Sequence, residues 1–226
     1  MKIFKVTAAA IIIFTLGAPL IATATKTTCH GFYAFRVKAV NLKTTTVTSQ
    51  HLYIRSPIID DIETYIKITM NKDVKNMAND RSFDGVSERT LRREFQNAIK
   101  QRQRRDEISF AVVDRASEKT IGFIFFDLEH RLHRSAEISY EFLPETWGRG
   151  LGTEALRALL PSIQMTFGVD HLLARTAVSN ISSQRVLEKA GFVFLREEKP
   201  ESYEDLYREE NDKIFEYTTT MLLPPS

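Results

Sequence analysis

Between Pro144 and Glu154 the chain reads Pro-Glu-Thr-Trp-Gly-Arg-Gly-Leu-Gly-Thr-Glu, and no other stretch narrows the possible folds as far. Glycine takes alternate positions, Gly148, Gly150 and Gly152, directly ahead of a long periodic segment. In that segment Leu156, Leu159, Leu160, Ile163 and Phe167 recur at helical spacing, which predicts a helix from Gly152 to Phe167 with a kink at Pro161. On the other side, Arg134 to Leu143 alternates as a strand. A strand, a glycine bend and a helix in that order let backbone amides converge where a helix N-terminus is positive. Such a bend holds a diphosphate without a charged side chain, and Arg149 adds one; a plain tight turn is the other reading. The spacing departs from the dinucleotide fingerprint, and no Lys-Ser or Lys-Thr pair makes it a Walker loop.

The flanking chain alternates strands and helices. His51 to Arg55 reads as an edge strand, stopped by Pro57. Ile58, Ile62, Tyr65, Ile66 and Thr69 then mark a helix, and Ser87 caps another that runs to about Arg104. Ile108 to Asp114 and Thr120 to Leu128 form a hairpin around Ala116 to Lys119. After the glycine helix come a strand from His171 to Val178, a helix from Ser182 to Ala190, and strands from Phe192 to Arg196 and Lys213 to Leu222. The order β-α-α-β-β-β-α-β-α-β-β predicts an α/β, or mixed α+β, fold with one mixed sheet and helices on both faces.

The N-terminus differs in kind. Lys2 and Lys5 precede an apolar run from Val6 to Ala22, and Ala22-Thr23-Ala24 offers the small-x-small pattern of a cleavage site. Residues 1–24 read as a signal peptide or an N-terminal anchor, with a start codon placed too far upstream as the third possibility; 25–49 read as a linker and 50–223 as the folded domain. A membrane partner is expected only through this segment if it stays uncleaved. The single cysteine, Cys29, excludes an intrachain disulfide, and a net charge of +2 gives no ground to expect a nucleic-acid partner.

The segment from Ala136 to Phe192 resembles the acetyl-CoA-binding core of the GNAT superfamily of N-acetyltransferases, and more narrowly its RimJ/RimL-type ribosomal-protein branch. The resemblance rests on Ala136-Glu137-Ile138-Ser139-Tyr140, on Trp147 to Leu156, on Asn180-Ile181-Ser182-Ser183, and on Val186 to Phe192, in that order. It implies a central, largely antiparallel sheet splayed between its fourth and fifth strands, Arg134–Leu143 and His171–Val178. It implies that the amides of Gly148, Arg149, Gly150, Leu151, Gly152 and Thr153 hold the pyrophosphate of acetyl-CoA. It further implies that the backbone of Phe142 and Leu143 pairs with pantetheine and that Asn180 orients pantetheine or the helix start. Trp147 stands where the wider family has Gln or Arg, a swap that the RimJ/RimL-like branch shares.

Acetyl transfer to an amine requires loss of a proton from the acceptor and favours protonation of the leaving thiolate. The resemblance implies Glu137 as general base, directly or through a water, and Ser183 as hydrogen-bond donor to the coenzyme sulfur. The alternatives are an exposed strand glutamate and ordinary helix capping by Asn180 and Ser183. The tyrosine that many relatives place seven residues after the asparagine is Leu187 here, which donates nothing. Acceptors in keeping with the resemblance are protein N-termini, lysines, polyamines and aminoglycosides, on a monomer or homodimer. An acidic run from Glu197 to Asp212 could draw in cations, while seven basic residues between Arg89 and Arg105 read as a solvated helix face, or as a site for the adenosine 3′-phosphate, an RNA or an acidic protein region. His130 and His133 lack supporting ligands, so no metal is expected. The other function classes are an acyl-CoA-binding module without turnover and a secreted or membrane-tethered interaction protein. Use of acetyl-CoA points to a cytoplasm, its own or a host's, whereas the N-terminus points to export.

Overall fold

The computed structural model describes residues 46–78, 83–101, 107–128, 134–199 and 211–218. Among the described residues eight strands form one sheet: β1 (Val47–Thr48), β2 (Leu52–Arg55), β3 (Glu107–Asp114), β4 (Lys119–Asp127), β5 (Ser135–Phe142), β6 (His171–Ala177), β7 (Val193–Glu198) and β8 (Asp212–Thr218). Their spatial order is β1-β2-β3-β4-β5-β6-β8-β7. Every neighbouring pair is antiparallel except β5 and β6. The helices are α1 (Ile62–Thr69), α2 (Lys72–Ala78), α3 (Glu88–Gln101), α4 (Leu151–Phe167) and α5 (Ile181–Ala190). The expected mixed, largely antiparallel sheet is therefore present.

Alternation along the strands sorts side chains to two faces. Ile138 and Phe142 of β5 and Ile124 and Phe126 of β4 point to one face, where they pack with Leu156, Leu159, Leu160 and Ile163 of α4 and Leu187 of α5. Ala111 and Phe123 point to the other, against Ile62 and Ile66 of α1, Val74 of α2, and Leu91 and Phe95 of α3. The helix predicted from Ile58 begins as a short 3₁₀ turn, Ile59–Asp61, before α1. The Asp61 carboxylate accepts two bonds from Arg55, at 2.7 and 3.0 Å, one from the Ile58 amide at 2.7 Å, and one from the Thr120 hydroxyl. The Ile58 amide and the Asp61 carboxylate thereby close the turn at its start. Ser87 caps α3 as predicted, its hydroxyl accepting the Thr90 amide at 3.2 Å. Helix α4 runs on unbroken through Pro161, which lies exposed on its outer side.

Two elements escaped the sequence reading. Strand β1 takes part of the expected linker, pairing Val47 with Ile54. Helix α2 carries one buried apolar residue, Val74, too few for a periodic signal, although Asn71 caps it by accepting the amides of Asp73 and Val74 at 2.8 and 3.2 Å. The leader, Cys29, His130, His133, Arg102, Arg104, Arg105 and most of the acidic run lie outside the described residues. Among the described residues no helix is long and apolar enough to cross a membrane, and no group of potential metal ligands gathers.

A cavity where two parallel strands part

Strands β5 and β6 pair in parallel over only three residues, Ser135–Glu137 against His171–Leu173. Beyond them β5 runs on to Phe142 with no strand among the described residues on that side, so the sheet opens there. The Leu143 amide donates to Ile121 of β4 at 2.9 Å. By antiparallel alternation, Glu141 and Leu143 then turn their amide groups to β4, while Tyr140 and Phe142 turn theirs to the opening. Of the two residues expected to meet pantetheine, Phe142 turns its amide to the gap, while its carbonyl accepts the Trp147 indole. Leu143 has its N–H committed to β4, and its carbonyl accepts the Thr146 amide and hydroxyl at 2.9 and 2.7 Å.

A cavity of about 370 Å³ occupies the opening, within the usual size range of small-molecule sites. Its floor is the glycine bend. Gly148 and Gly150 sit at φ of +73° and +78°, a region that side chains avoid, and Gly150 caps α4. The first-turn amides of α4, from Leu151 to Thr153, have no preceding carbonyl in the helix to accept them and face a ligand by construction. The Trp147 indole donates to the Phe142 carbonyl at 3.0 Å and clamps the bend to the end of β5. Arg149 is exposed beside the bend. A Cβ on Gly122 would lie 2.6 Å from both the Glu141 carbonyl and the Phe142 ring, so only glycine lets β4 approach β5 here. An isolated glycine inside a strand is the signal that could have marked it.

Helix α5 forms one wall. Asn180 accepts the Ser183 amide at 3.0 Å, so it caps the helix, and its Nδ2 donates to the Met77 carbonyl of α2 at 2.7 Å. One side chain thus starts α5 and ties α2 over the opening. Ser183 Oγ lies 2.8 Å from Tyr140 Oη. Burial pushes the Tyr140 phenol above the usual tyrosine range, while its bond to Ser183 pulls weakly the other way. Leu187 is wholly buried in the core.

The two β5 carboxylates differ in setting. Both lie on the α2 face by alternation, but Glu141 lines the cavity together with Val74, Met77 and Ala78 of α2. Glu137 faces Arg175 of β6, at 3.3 Å, and that guanidinium also reaches Glu198 at 3.2 Å. Burial works against the Arg175 charge, yet Glu137, Glu198 and Asp212 together hold its pKa above the ordinary arginine value. Basic charge also enters the lining, from Arg185 and Lys189 of α5. Tyr140, Glu141, Arg185 and Lys189 were not singled out as site residues from sequence, since their significance depends on where the strands part.

The profile of the acetyltransferase (GNAT) domain matches residues 51–193. The curated relative "Uncharacterized N-acetyltransferase YoaA" of Bacillus subtilis is 32% identical over 85 residues, which is 38% of this chain and 48% of that protein. The match thus spans about half of that relative. Among solved structures, a ribosomal-protein-S5-alanine acetyltransferase from Vibrio fischeri shares 18% identity, covering 80% of this chain and all of that one, with a TM-score of 0.66. A spermidine N-acetyltransferase from Vibrio cholerae, in complex with CoA and spermine, shares 20% identity over 75% of this chain and 96% of its own, with a TM-score of 0.64. At such identities the structures establish a common fold.

Proposed function

This chain belongs to the GNAT acetyltransferase family, and we propose that it transfers the acetyl group of acetyl-CoA to a primary amine presented as a cation. The observation that carries the proposal is the cavity left where β5 and β6 separate above the glycine bend. The residues suit acetyl-CoA: the Tyr140 backbone and the Phe142 amide, which turn to the opening, for an extended pantetheine arm, first-turn amides at Leu151 to Thr153 for the diphosphate, and cations at Arg149, Arg185 and Lys189. Bound there, acetyl-CoA supplies an activated acyl group as a thioester. The protein's contribution is to hold that group against an amine, and orientation alone can supply several kcal/mol, up to about 7–11, of the barrier.

The polarity of the cavity supports a cationic acceptor. Its lining includes Arg185 and Lys189 near the bend, and Glu141 is its acidic side chain, toward α2. An ammonium approaching from the α2 side meets Glu141 first, with Glu137 four residues back along the strand as a second carboxylate able to take a proton through water. Met77 and Val74 offer apolar contact to the carbon stem.

The test has two stages. Titration calorimetry with the purified chain should show binding of CoA and acetyl-CoA. Thiol release on addition of polyamines, lysine peptides, aminoglycosides and peptides with free N-termini should then identify the acceptor. Binding with no thiol release across that panel would favour a module without turnover, and no binding at all would overturn the proposal.

A further inference from the structure

Glu137 and Glu141 share one face of β5 with Ser139 between them, yet only Glu141 reaches the cavity. The parallel pairing of β5 with β6 ends where Glu137 lies opposite Leu173. Beyond it the lining takes Tyr140, Glu141 and Phe142 from β5 and none of Ser135 to Ser139. Glu137 stands at the closed end of this fork, where Arg175 of β6 donates to it at 3.3 Å. The same guanidinium donates to Glu198 of β7 at 3.2 Å, and Arg196 of β7 meets Glu198 in turn. To do so Arg175 reaches past Ile214 of β8, its register neighbour. A row of alternating charge thus crosses β5, β6, β8 and β7 on the face opposite that of Ala174, which packs into the α4–α5 core. At the other carboxylate the setting differs. Glu141 is half-buried and lines the cavity with Val74, Met77 and Ala78 of α2. The other ionisable groups of that lining are Tyr140, Arg185 and Lys189, so among the described residues Glu141 is its one carboxylate.

We propose that the two carboxylates divide the work: Glu141 takes the proton of the acceptor ammonium, and Glu137 braces the fork with Arg175 and Glu198. The inference rests on the acetyl-CoA reading above. A proton acceptor has to stand within hydrogen-bond reach of the ammonium, directly or through one water, and the ammonium has to lie in the cavity with the thioester. Glu141 meets that condition. Glu137 lies past the end of the lining, beside a guanidinium that favours its charged form and so makes it the poorer proton acceptor. In the reaction the ammonium gives one proton to Glu141, and the nitrogen lone pair attacks the thioester carbonyl carbon. The C–N bond forms, the C–S bond breaks, and its electron pair stays on sulfur. A second nitrogen proton passes to sulfur, leaving amide and free thiol, and Glu141 returns its proton to solvent. The resemblance assigns the base four residues earlier. Arg175 is what sets that position apart here.

The experiment measures thiol release from acetyl-CoA by the full chain between pH 7 and 9, for wild type, Glu141→Gln, Glu137→Gln and Arg175→Gln. Spermidine, a lysine peptide with a blocked N-terminus, kanamycin and a peptide with a free N-terminus serve as probes, and the profile uses the one wild type turns over fastest. Calorimetry with acetyl-CoA and thermal melting accompany each variant. Glu141→Gln should lower kcat/KM for the amine about 100-fold at pH 7. That deficit should shrink by up to about tenfold per pH unit, because more of the amine then arrives without its proton. Glu137→Gln should lose less than about 3-fold, by the same factor at every pH, and melt about 2 °C lower. The variant with both Glu137→Gln and Arg175→Gln should be no less stable than Arg175→Gln alone. A pH-dependent deficit in Glu137→Gln overturns the division of work, and so does a loss under about 3-fold at pH 7 in Glu141→Gln. Additive losses of stability in the double variant overturn the brace. Wild type that binds no acetyl-CoA, or releases no thiol with any of the four amines, removes the underlying reading instead. If Glu141→Gln does not bind acetyl-CoA, Glu141→Asp decides. It keeps a carboxylate, so its deficit should be the same at every pH, and one that shrinks as pH rises counts against Glu141.

Discussion

The two helical layers are fastened to the sheet by different chemistry. On the α4–α5 side the contacts are apolar: Leu156, Leu159, Leu160, Ile163 and Leu187 are all at most 1% exposed. On the α1–α3 side a smaller apolar cluster is supplemented by polar ties. Asp61 joins Arg55 to Thr120, Arg92 bridges Glu63 and Glu88, Lys67 meets Glu145, and Asn180 holds α2. The exposed ion pairs among them contribute little, typically about 0–1 kcal/mol each. The layer that the proposed function gives to the coenzyme is therefore a packed core, while the layer it gives to the acceptor leans on one buried carboxylate and one amide. On the proposed function, that difference predicts a fixed site for the donor and a looser one for the acceptor.

The largest effect should come from removing the buried carboxylate. Asp61→Ala leaves Arg55 without its partner, and Arg55 is only 27% exposed. The expected loss, measured by urea unfolding, is about 2–4 kcal/mol, below the full cost of a completely buried pair because Arg55 can turn to water. Burial raises the Asp61 pKa, but Arg55, Thr120 and the Ile58 amide lower it by more, so the net shift is downward. A depressed carboxylate contributes stability that is complete above its unfolded value, about 3.9, and is lost as pH falls through the folded one. Asp61→Asn should lack that acid-side component. A loss under about 1 kcal/mol for Asp61→Ala would erase the contrast between the layers, since that is the range of an exposed pair.

A pair of glycine substitutions sharpens the comparison next. Gly150 and Gly85 have nearly the same backbone angle, φ of +78° and +76°, and open space where a Cβ would stand. Valine at either should cost a similar 1–2 kcal/mol, roughly, from left-handed strain. Only Gly150 caps the helix at the cavity floor, so Gly150→Val should weaken CoA binding about 100-fold while Gly85→Val leaves it unchanged. Equal effects on affinity would mean that the bend does not hold the diphosphate.

What was legible in the sequence follows the same division. The bend, α4, and the Asn180 cap were readable because local backbone and local pattern specify them: alternate glycines, helical spacing, and an Asn three residues before the amide it accepts. The acceptor side was not. Helix α2 has one buried apolar side chain, and its place depends on Asn180, 103 residues away from Met77. Tyr140 read as one more aromatic on a strand; its link to Ser183 spans 43 residues. Glu137 and Glu141 looked equivalent by alternation, and only the register of β5 with β6 separates one beside Arg175 from one at the cavity. Spacing reports what neighbours in sequence do. The departure of two strands from each other is a property of the sheet.

The smallest and most discriminating effect belongs to Asn180, whose two side-chain groups serve the two layers separately. Its oxygen caps α5 through the Ser183 amide, and its nitrogen ties α2 through the Met77 carbonyl. Asn180→Asp keeps an acceptor for the cap, since Asp serves there as well as Asn, but has no proton to donate to a carbonyl. The α5 start should survive, with CoA affinity unchanged and overall stability lowered by less than about 1 kcal/mol. Helix α2 should loosen, so amide exchange across Lys72–Ala78 should quicken while that of α5 does not. KM for the amine should rise about 3- to 10-fold, the equivalent of one neutral hydrogen bond. Asn180→Ala removes both groups and should add the loss of the cap, about 1 kcal/mol. If Asn180→Asp weakens CoA binding as much as amine binding, the two sides of the cavity are coupled through this residue, and the acceptor layer does not move independently of the coenzyme wall.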